Sequence, residues 1–355
     1  MKFTLKFILT IKLCFYRINI NLNVLFVLSR GDMIMQKIPL GNTGTEVSEL
    51  CLGTMYFGNR TDEETSRKLL DIYYEAGGRF LDTANKYATW VEVFDEPTSE
   101  ELLGRWMKGR DNRDELFVAT KLGFPYDDVS QSLDPNIIEA EVEKSLRKLG
   151  TKKIDLLYAH VDDFGTPQEK VMEKFHQLIE EGKVRYIGAS NFLAWRLQSA
   201  NMIAEANDWT PYCCHQGRYS YLVPNRGSDF GGQVPVTDEM VDYWQSKASD
   251  FTMLAYSPLL SGCYGREDRS IPPEYASPEN KVRMEIVKDI ARKKGLNGNQ
   301  VVLAWMRQSD PPVIPLIAGS TEEQIRQNIH SADVKLSDEE MGRLNGVGGK
   351  LGDLR

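Results

Sequence analysis

The sequence predicts an α/β protein that folds as a (β/α)8 TIM barrel with an N-terminal β-hairpin and an extra C-terminal helix. Eight short apolar segments alternate with helical patterns along the chain, and this alternation is typical of parallel strands joined by right-handed crossovers. A barrel occupies roughly 250 residues, so the 355-residue chain accommodates one with extensions. A doubly wound open sheet is the alternative. When such a sheet binds a dinucleotide it usually carries G-x-G-x-x-G after its first strand, and this chain has no such run.

The predicted strands begin with a hairpin. Residues 37–39 and 45–48 flank the turn-rich residues 41–44, which indicates two short extended segments and a turn on the floor of the barrel. Each barrel strand is then a short apolar run that precedes a helical pattern. The barrel strands are predicted at residues 50–55, 80–82, 116–121, 154–160, 184–190, 212–217, 251–256 and 312–317.

Several predicted helices begin at recognisable capping signals. Capping-box spacing or a proline in the first turn marks the starts at Thr61, Thr98, Asp134, Thr166 and Ser337. The predicted helices span residues 61–76, 98–106, 134–149, 166–182, 193–207, 238–247, 280–294, 299–308 and 321–329, and the extra C-terminal helix begins at residue 337.

Residues 1–32 differ in composition from the barrel domain predicted at 33–355. They carry five basic residues against one acid, and charges and asparagines interrupt their apolar runs. These runs are too short for the roughly 20 apolar residues of a membrane-spanning helix. We expect either that Met33 or Met35 is the working start, with the first 32 residues untranslated in vivo, or that these residues form a genuine, disordered extension.

Charge and cysteine content exclude several classes of function. The net charge is −8 and Lys and Arg form no dense cluster, so we expect no nucleic-acid partner, and we expect no membrane partner either. The five cysteines are odd in number and lack C-x-x-C spacing, which indicates neither a disulfide framework nor a thiolate metal site. They are expected to be reduced thiols of a cytoplasmic protein, with the adjacent Cys213 and Cys214 packed in the core.

Four ionisable residues are predicted to meet at one end of the barrel. Asp82, Lys121 and His160 end the second, third and fourth strands, and Tyr87 follows five residues after Asp82. A phenol has a pKa near 10, so we expect the Lys121 cation to stabilise the Tyr87 phenolate and Asp82 to pair with Lys121. A neutral His160 could bind the substrate oxygen. The set suits proton donation to a carbonyl, and a cofactor must supply the hydride.

Residues 35–347 resemble the aldo-keto reductase superfamily, whose members are barrels that bind a nicotinamide cofactor without a Rossmann domain. The resemblance rests on Asp82-Thr83-Ala84 with Tyr87, on Ala119-Thr120-Lys121, on His160, on Gly188-Ala189-Ser190-Asn191-Phe192 and on Leu254-Ala255-Tyr256-Ser257-Pro258-Leu259. It implies that Asp82, Tyr87, Lys121 and His160 are the catalytic tetrad, and that no metal takes part.

The resemblance also implies a set of cofactor contacts. Ser190, Asn191 and Gln216 would bind the nicotinamide carboxamide, Tyr256 would stack on its ring, and Ser257 and Leu259 would surround the pyrophosphate. The residues that would bind the adenosine end are Gly319, Ser320, Thr321, Gln324 and Asn328. Gly53, Thr54 and Met55 at the end of the first strand, with Asp82, complete the predicted set, since a glycine lets backbone approach a ligand closely.

Departures from the family pattern concern the cofactor and the substrate. Many relatives carry Lys or Arg where this chain has Ala318 and Gln324, and those cations bind the adenosine 2′-phosphate. The resemblance implies NADP(H), and the missing cations leave NAD(H) as the alternative. Met55 replaces a frequent Trp, and residues 88–97 and 219–235 form long loops that we expect to cover the site.

The expected function is the reversible reduction of an aldehyde or ketone to an alcohol, with Tyr87 as general acid and a small carbonyl or alcohol as substrate. A cofactor-sensing subunit of a potassium channel, with little turnover, is the alternative, because such subunits can retain the tetrad. A metal-dependent hydrolase that uses His160-x-Asp162-Asp163 is disfavoured, since the chain has only four histidines. The sequence predicts neither the substrate nor the oligomeric state.

Overall fold

Two strands form an antiparallel hairpin and eight form a closed parallel barrel in the computed structural model, which describes residues 35–87 and 98–347. The hairpin strands are β1 (Lys37–Pro39) and β2 (Glu46–Ser48). The barrel strands are β3 (Cys51–Gly53), β4 (Phe80–Asp82), β5 (Phe117–Leu122), β6 (Ile154–Ala159), β7 (Val184–Ser190), β8 (Cys214–Arg218), β9 (Thr252–Tyr256) and β10 (Ile314–Ile317). Strands β3 to β9 are neighbours in chain order, and β10 closes the barrel against β9 and β3. The predicted fold class is confirmed.

At least one helix follows every barrel strand, and an additional helix lies beyond the one that follows β10. The helices are α1 (Glu63–Glu75), α2 (Ser99–Arg110), α3 (Pro135–Leu149), α4 (Gln168–Glu180), α5 (Ala194–Ala206), α6 (Asp238–Ser246), α7 (Pro278–Lys294), α8 (Gly298–Arg307), α9 (Glu322–His330) and α10 (Asp338–Asn345). The extra C-terminal helix is α10. No helix in the described residues is long and apolar enough to cross a bilayer.

The helix starts agree only in part with the predicted caps. The capping boxes at Thr98 and Ser337 are present. The prediction at Thr61 is wrong, because Asp62 caps α1 and its carboxylate accepts from the Thr65 N–H at 2.8 Å. The prediction at Thr166 is also wrong, since that hydroxyl donates to Asp163 at 2.7 Å and leaves Pro167 as the N-cap. In both cases a nearby aspartate is the stronger acceptor.

The hairpin closes the amino-terminal end of the barrel, as predicted. Leu40 and Val47 from the hairpin belong to the buried cluster that fills this end, together with Phe80 and Phe117. Complete burial of a side chain such as Leu40 stabilises the fold by roughly 2 kcal/mol. Gly41 has a φ of 51°, and a Cβ there would lie 2.6 Å from the Asp250 carbonyl oxygen, so only glycine fits this turn.

The cysteines of the described residues are buried thiols. Cys51, Cys213, Cys214 and Cys263 are free, and Cys213 and Cys214 both belong to the core cluster, as predicted. The hairpin and this cluster occupy the amino-terminal end of the barrel. The carboxyl ends of the strands lie at the opposite end and can therefore form a site there.

Candidate active site

A cavity of about 1130 Å³ opens at the carboxyl ends of the barrel strands. All but two of the predicted catalytic and cofactor residues line it. These are Gly53, Met55, Asp82, Tyr87, His160, Ser190, Asn191, Gln216, Tyr256, Ser257, Leu259, Gly319, Ser320, Thr321, Gln324 and Asn328. The two exceptions, Thr54 and Lys121, are fully buried behind the cavity wall.

Lys121 links two of the predicted catalytic side chains. Its ammonium group donates to Asp82 Oδ1, to the Thr83 carbonyl oxygen at 2.8 Å and to the Tyr87 hydroxyl at 3.2 Å. Strands β4 and β5 pair in parallel up to Asp82 and Ala119, so these side chains project from adjacent strand ends. An ammonium has three protons to donate, and the three contacts use all of them. The position of Tyr87 relative to Asp82 is therefore set through Lys121.

Further contacts orient Asp82. Its Oδ2 accepts from Gln216 Nε2 at 2.7 Å. Its main-chain oxygen accepts from both the N–H and the hydroxyl of Thr54, each at 2.9 Å. The Thr54 hydroxyl also lies 2.8 Å from Ser99 Oγ. Thr54, which the sequence suggested as a cofactor contact, does not line the cavity, and its hydroxyl supports Asp82 through the hydrogen bond to that main-chain oxygen.

Burial dominates the electrostatics of this group. It raises the pKa of Tyr87 above 10, and the opposing effect of Lys121 offsets only part of the shift. Lys121 lowers the pKa of Tyr87, as expected of a cation that stabilises the phenolate, but burial outweighs its effect. Burial alone would lower the pKa of the Lys121 ammonium. The neighbouring Asp82 and Tyr87 outweigh this effect of burial and raise that pKa. At neutral pH the phenol is protonated and Lys121 is charged.

His160 lies between two aromatic rings at the cavity wall. Its ring centroid is 5.8 Å from that of Tyr87 and 4.7 Å from that of Phe124, both edge-on. Burial, with the nearby Lys121 and Lys86 cations, lowers the pKa of His160 well below 6.5. The imidazole is therefore neutral at pH 7 and can donate one proton without carrying charge. Its Nδ1 is buried with no hydrogen-bond partner among the described residues.

Asn191 connects several loops at the nicotinamide end implied by the family resemblance. It follows β7 with a φ of 60°, a left-handed conformation that asparagine tolerates. Its Nδ2 donates to the His160 carbonyl oxygen at 2.8 Å, and its Oδ1 accepts from the Tyr256 hydroxyl at 2.7 Å and the Val234 N–H at 3.0 Å. The predicted Asn191 and Tyr256 thus lie together, and Asn191 lies directly against Ser190, with 3.1 Å between Nδ2 and Oγ.

The loop after β9 turns sharply against the cavity. Ser257, Leu260 and Ser261 all have positive φ, at 53°, 47° and 61°, and Gly262 has a φ of 89°. Residues 257–262 extend the cavity wall beyond Tyr256, and they include the predicted Ser257 and Leu259. Non-glycine residues rarely adopt this conformation, and such strain is concentrated at functional sites.

The opposite end of the cavity is formed by the start of α9. Thr321 caps this helix and accepts from the Gln324 N–H at 3.3 Å. The side-chain oxygen of Gln324 accepts from the Ser320 N–H at 2.9 Å, and Asn328 Nδ2 donates to the Ala318 carbonyl at 2.9 Å. Both amides stabilise the loop from Ala318 to Ser320, and a helix amino terminus favours bound anions.

The cavity is also lined by residues that the sequence reasoning missed. The loop after β9 contributes Arg266 and Arg269, and Lys86 and four aromatic side chains line the cavity as well. Both arginines follow the predicted Leu259 within the same loop. Their position after a strand end was the feature of the sequence that could have indicated them as site residues. The aromatic residues are Tyr56, Phe57, Phe124 and Phe230.

The carboxylates of the disfavoured hydrolase hypothesis have structural partners. Asp162 accepts two hydrogen bonds from Arg196, at 2.6 and 2.7 Å. Asp163 accepts from the Leu133 and Gly165 N–H groups, both at 2.8 Å. No group of three or more potential metal ligands occurs within residues 35–87 and 98–347.

Of the two loops predicted to cover the site, one can be described. Phe230, Gly231, Gly232 and Gln233 line the cavity, and Arg218 fixes them. Its guanidinium lies 4.4 Å from the Phe230 ring centroid and donates to Gln233 at 2.7 Å. The predicted lid at 88–97 lies outside the described residues.

Comparison with known proteins places this site in a family. The model of the Aldo/keto reductase family matches residues 49–348. Norsolorinic acid reductase stcV from Emericella nidulans is 36% identical over an alignment of 323 residues that covers 84% of this chain and 77% of that protein. Aryl-alcohol dehydrogenase [NADP(+)] from Phanerodontia chrysosporium is 31% identical over an alignment of 328 residues that covers 85% of this chain and 83% of that protein. An uncharacterized oxidoreductase, YrpG of Bacillus subtilis, is 30% identical over 88% of this chain and 96% of its own.

The family match spans nearly the whole described barrel, including every strand that supplies a cavity residue. Its members are oxidoreductases that generally use nicotinamide cofactors and reduce carbonyl groups. The chain is therefore an enzyme that belongs to the aldo/keto reductase family.

Proposed function

We propose that this enzyme reduces an aryl aldehyde or ketone to the alcohol, reversibly, with Tyr87 as the proton donor and NADPH as the preferred cofactor. The contact that carries the proposal is the 3.2 Å hydrogen bond between Lys121 and the Tyr87 hydroxyl, beside a neutral His160. A protonated phenol and a neutral imidazole at one wall suit a carbonyl oxygen.

The proposed reaction divides the work among the four residues. A bound nicotinamide supplies the hydride to the carbonyl carbon. His160 donates a hydrogen bond that orients the carbonyl oxygen, and Tyr87 transfers its proton to that oxygen as negative charge develops there. Lys121 stabilises the resulting phenolate, and Asp82 orients Lys121. In the oxidative direction the phenolate takes the proton back from the alcohol.

The cavity residues fit a dinucleotide. Asn191, Gln216 and Ser190 offer amide and hydroxyl groups at the end near Tyr87, as a carboxamide requires. At the other end the amino terminus of α9 offers positive potential for phosphates, and Arg266 and Arg269 add positive charge to the cavity lining. The cavity volume of about 1130 Å³ leaves room for a substrate as well.

Aromatic substrates are favoured by the aromatic side chains of the cavity. Tyr56, Phe57, Phe124 and Phe230 line it, Phe124 lies beside His160, and flat rings stack or pack edge-on against such side chains. The relatives named norsolorinic acid reductase and aryl-alcohol dehydrogenase support the same class. We expect aryl aldehydes and ketones to give kcat/KM values about 10- to 100-fold above aliphatic carbonyls of equal size, measured by loss of nicotinamide absorbance. Equal values for the two series would reject the aryl preference.

Arg266 and Arg269 support the preference for NADPH. Arg266 forms a two-bond pair with Asp268 at 2.6 and 2.9 Å, whereas Arg269 contacts Asp268 at 3.8 Å. The three side chains together carry one excess positive charge at the cavity. This charge replaces the cations that many relatives carry at the positions of Ala318 and Gln324.

Replacing Arg269 with alanine is expected to weaken NADPH binding about tenfold and to leave NADH binding nearly unchanged, because only NADPH carries the 2′-phosphate. Fluorescence titration with both cofactors measures this. Arg326→Ala is the matched control, since Arg326 pairs with Glu322 on the outside of α9 and does not line the cavity. Equal weakening of both cofactors by Arg269→Ala would show that Arg269 does not discriminate between them.

A further inference from the structure

Glu141 lies on α3, outside the cavity lining, yet it contacts two loops that form the cavity wall. Only 2% of its surface is exposed. One carboxylate oxygen accepts hydrogen bonds from Asn85 Nδ2, at 2.7 Å, and from the Tyr126 hydroxyl. The other accepts from Lys144 at 2.7 Å. Asn85 follows β4 and Tyr126 follows β5, so one buried side chain connects two separate loops.

The Asn85 contact leads to the proton donor. Asn85 lies two residues before Tyr87, and its N–H donates to the Lys121 carbonyl oxygen at 3.0 Å. Tyr87 closes the following turn, with its N–H 3.1 Å from the Ala84 carbonyl oxygen. Asn85 is thus fixed on one side to the residue that contacts the Tyr87 hydroxyl and on the other to Glu141. A shift of Asn85 would move the phenol relative to the Lys121 ammonium.

The Tyr126 contact leads to the cavity wall. Tyr126 exchanges two main-chain hydrogen bonds with Val129, at 3.0 and 2.8 Å, which makes a tight local turn. Phe124, two residues earlier, packs its ring edge-on against His160 with 4.7 Å between centroids. Gly232 of the covering loop faces the same ring, because a Cβ added there would lie 3.1 Å from Phe124. Fixing Tyr126 therefore fixes the wall beside His160.

We propose that Glu141 is a positioning residue for carbonyl reduction, which aligns Tyr87 through Asn85 and the Phe124 wall through Tyr126. This inference rests on the proposed role of Tyr87. Removal of the carboxylate leaves the Asn85 amide and the Tyr126 hydroxyl without their acceptor in a buried place, so both loops must rearrange. Misplacement of reacting groups by about 1 Å can lower a rate about 100-fold, whereas a purely structural role would change stability alone.

The test compares Glu141→Ala, Glu141→Gln and Lys144→Ala in the full chain. Glu141→Ala is expected to lower kcat about 10- to 100-fold and to raise the substrate KM, with cofactor affinity unchanged. Glu141→Gln retains an acceptor oxygen and is expected to recover most of kcat. Lys144→Ala removes the ion pair but neither loop contact, so its kinetics should match the wild type. Wild-type kcat and KM in Glu141→Ala, even with a lower melting temperature, would overturn the proposal.

Two further variants separate the two contacts and remain informative if Glu141→Ala does not fold. Tyr126→Phe is expected to raise KM with little change in kcat, and Asn85→Ala to lower kcat with little change in KM. The same effect of both variants on both constants would overturn the assignment of separate contacts.

A Tyr87→Phe background distinguishes failure of this inference from failure of the proposed function. If Tyr87→Phe keeps the wild-type rate, the proposed function is wrong. If Tyr87→Phe is inactive while Glu141→Ala is not impaired, only the positioning role is wrong. When both roles hold, adding Glu141→Ala to Tyr87→Phe causes no further loss of residual rate.

Discussion

Replacing Tyr87 with phenylalanine is expected to lower kcat for carbonyl reduction by about 100- to 10,000-fold. The variant removes one oxygen, which in the wild type accepts from Lys121 at 3.2 Å, and leaves the ring that packs edge-on against His160. No other side chain of the proposed tetrad can replace the phenol, because Lys121 is buried behind the cavity wall, Asp82 accepts hydrogen bonds from Lys121 and Gln216, and His160 is occupied in orienting the substrate. Steady-state reduction of an aryl aldehyde by NADPH measures the loss.

Cofactor binding separates this prediction from a general loss of structure. The affinity of Tyr87→Phe for NADPH is expected to remain within about twofold of the wild type, since the removed hydroxyl acts on the substrate oxygen and binding differences that small are worth under 1 kcal/mol. Tyr56→Phe is a matched control, because it removes a hydroxyl from another tyrosine of the same cavity. Reduction by Tyr87→Phe at the wild-type rate would show that another group donates the proton.

Replacing Lys121 with methionine is expected to abolish reduction and to destabilise the fold by about 3 kcal/mol. Lys121 is fully buried and Asp82 is 1% exposed, so the variant leaves a buried carboxylate without its counter-ion. Gln216 still donates to Asp82, which places the cost at the lower end of the range for broken buried pairs. Denaturant unfolding measures the change in stability.

A double variant separates the stability of this pair from its catalytic role. Adding Asp82→Asn to Lys121→Met removes the unpaired charge, so most of the lost stability is expected to return while activity does not. The buried pair would then be costly to break but unnecessary for folding. If the double variant is as unstable as Lys121→Met alone, the loss comes from packing and not from the charge of Asp82.

The predictability of the site from sequence follows from where its residues lie on the fold. Asp82 and Lys121 lie in strands, and His160 immediately follows one, so the alternation of strands and helices was sufficient to predict that they meet. Ser190 and Gln216 also lie in strands, but the family resemblance, and not the strand pattern, indicated them. The barrel itself was predictable because most of its strands are short apolar runs, although β8 (Cys214–Arg218) is largely polar.

The remainder depends on side-chain direction and depth, which the strand pattern does not contain. Thr54 adjoins a predicted strand end, yet it is fully buried and does not line the cavity. Glu141 lies within a helix, far from any strand end, and its role became visible only from its contacts with two loops. The raised pKa of Tyr87 reflects burial that no spacing of residues reveals.

A crystal structure with NADP and an unreactive aryl carbonyl compound tests the central claim most directly. The account predicts that the carbonyl oxygen lies within about 3 Å of both the Tyr87 hydroxyl and a nitrogen of His160, as proton transfer requires, with the carbonyl carbon facing the nicotinamide. A carbonyl oxygen bound elsewhere in the cavity, with Tyr87 out of hydrogen-bond reach, would contradict the role assigned to Tyr87.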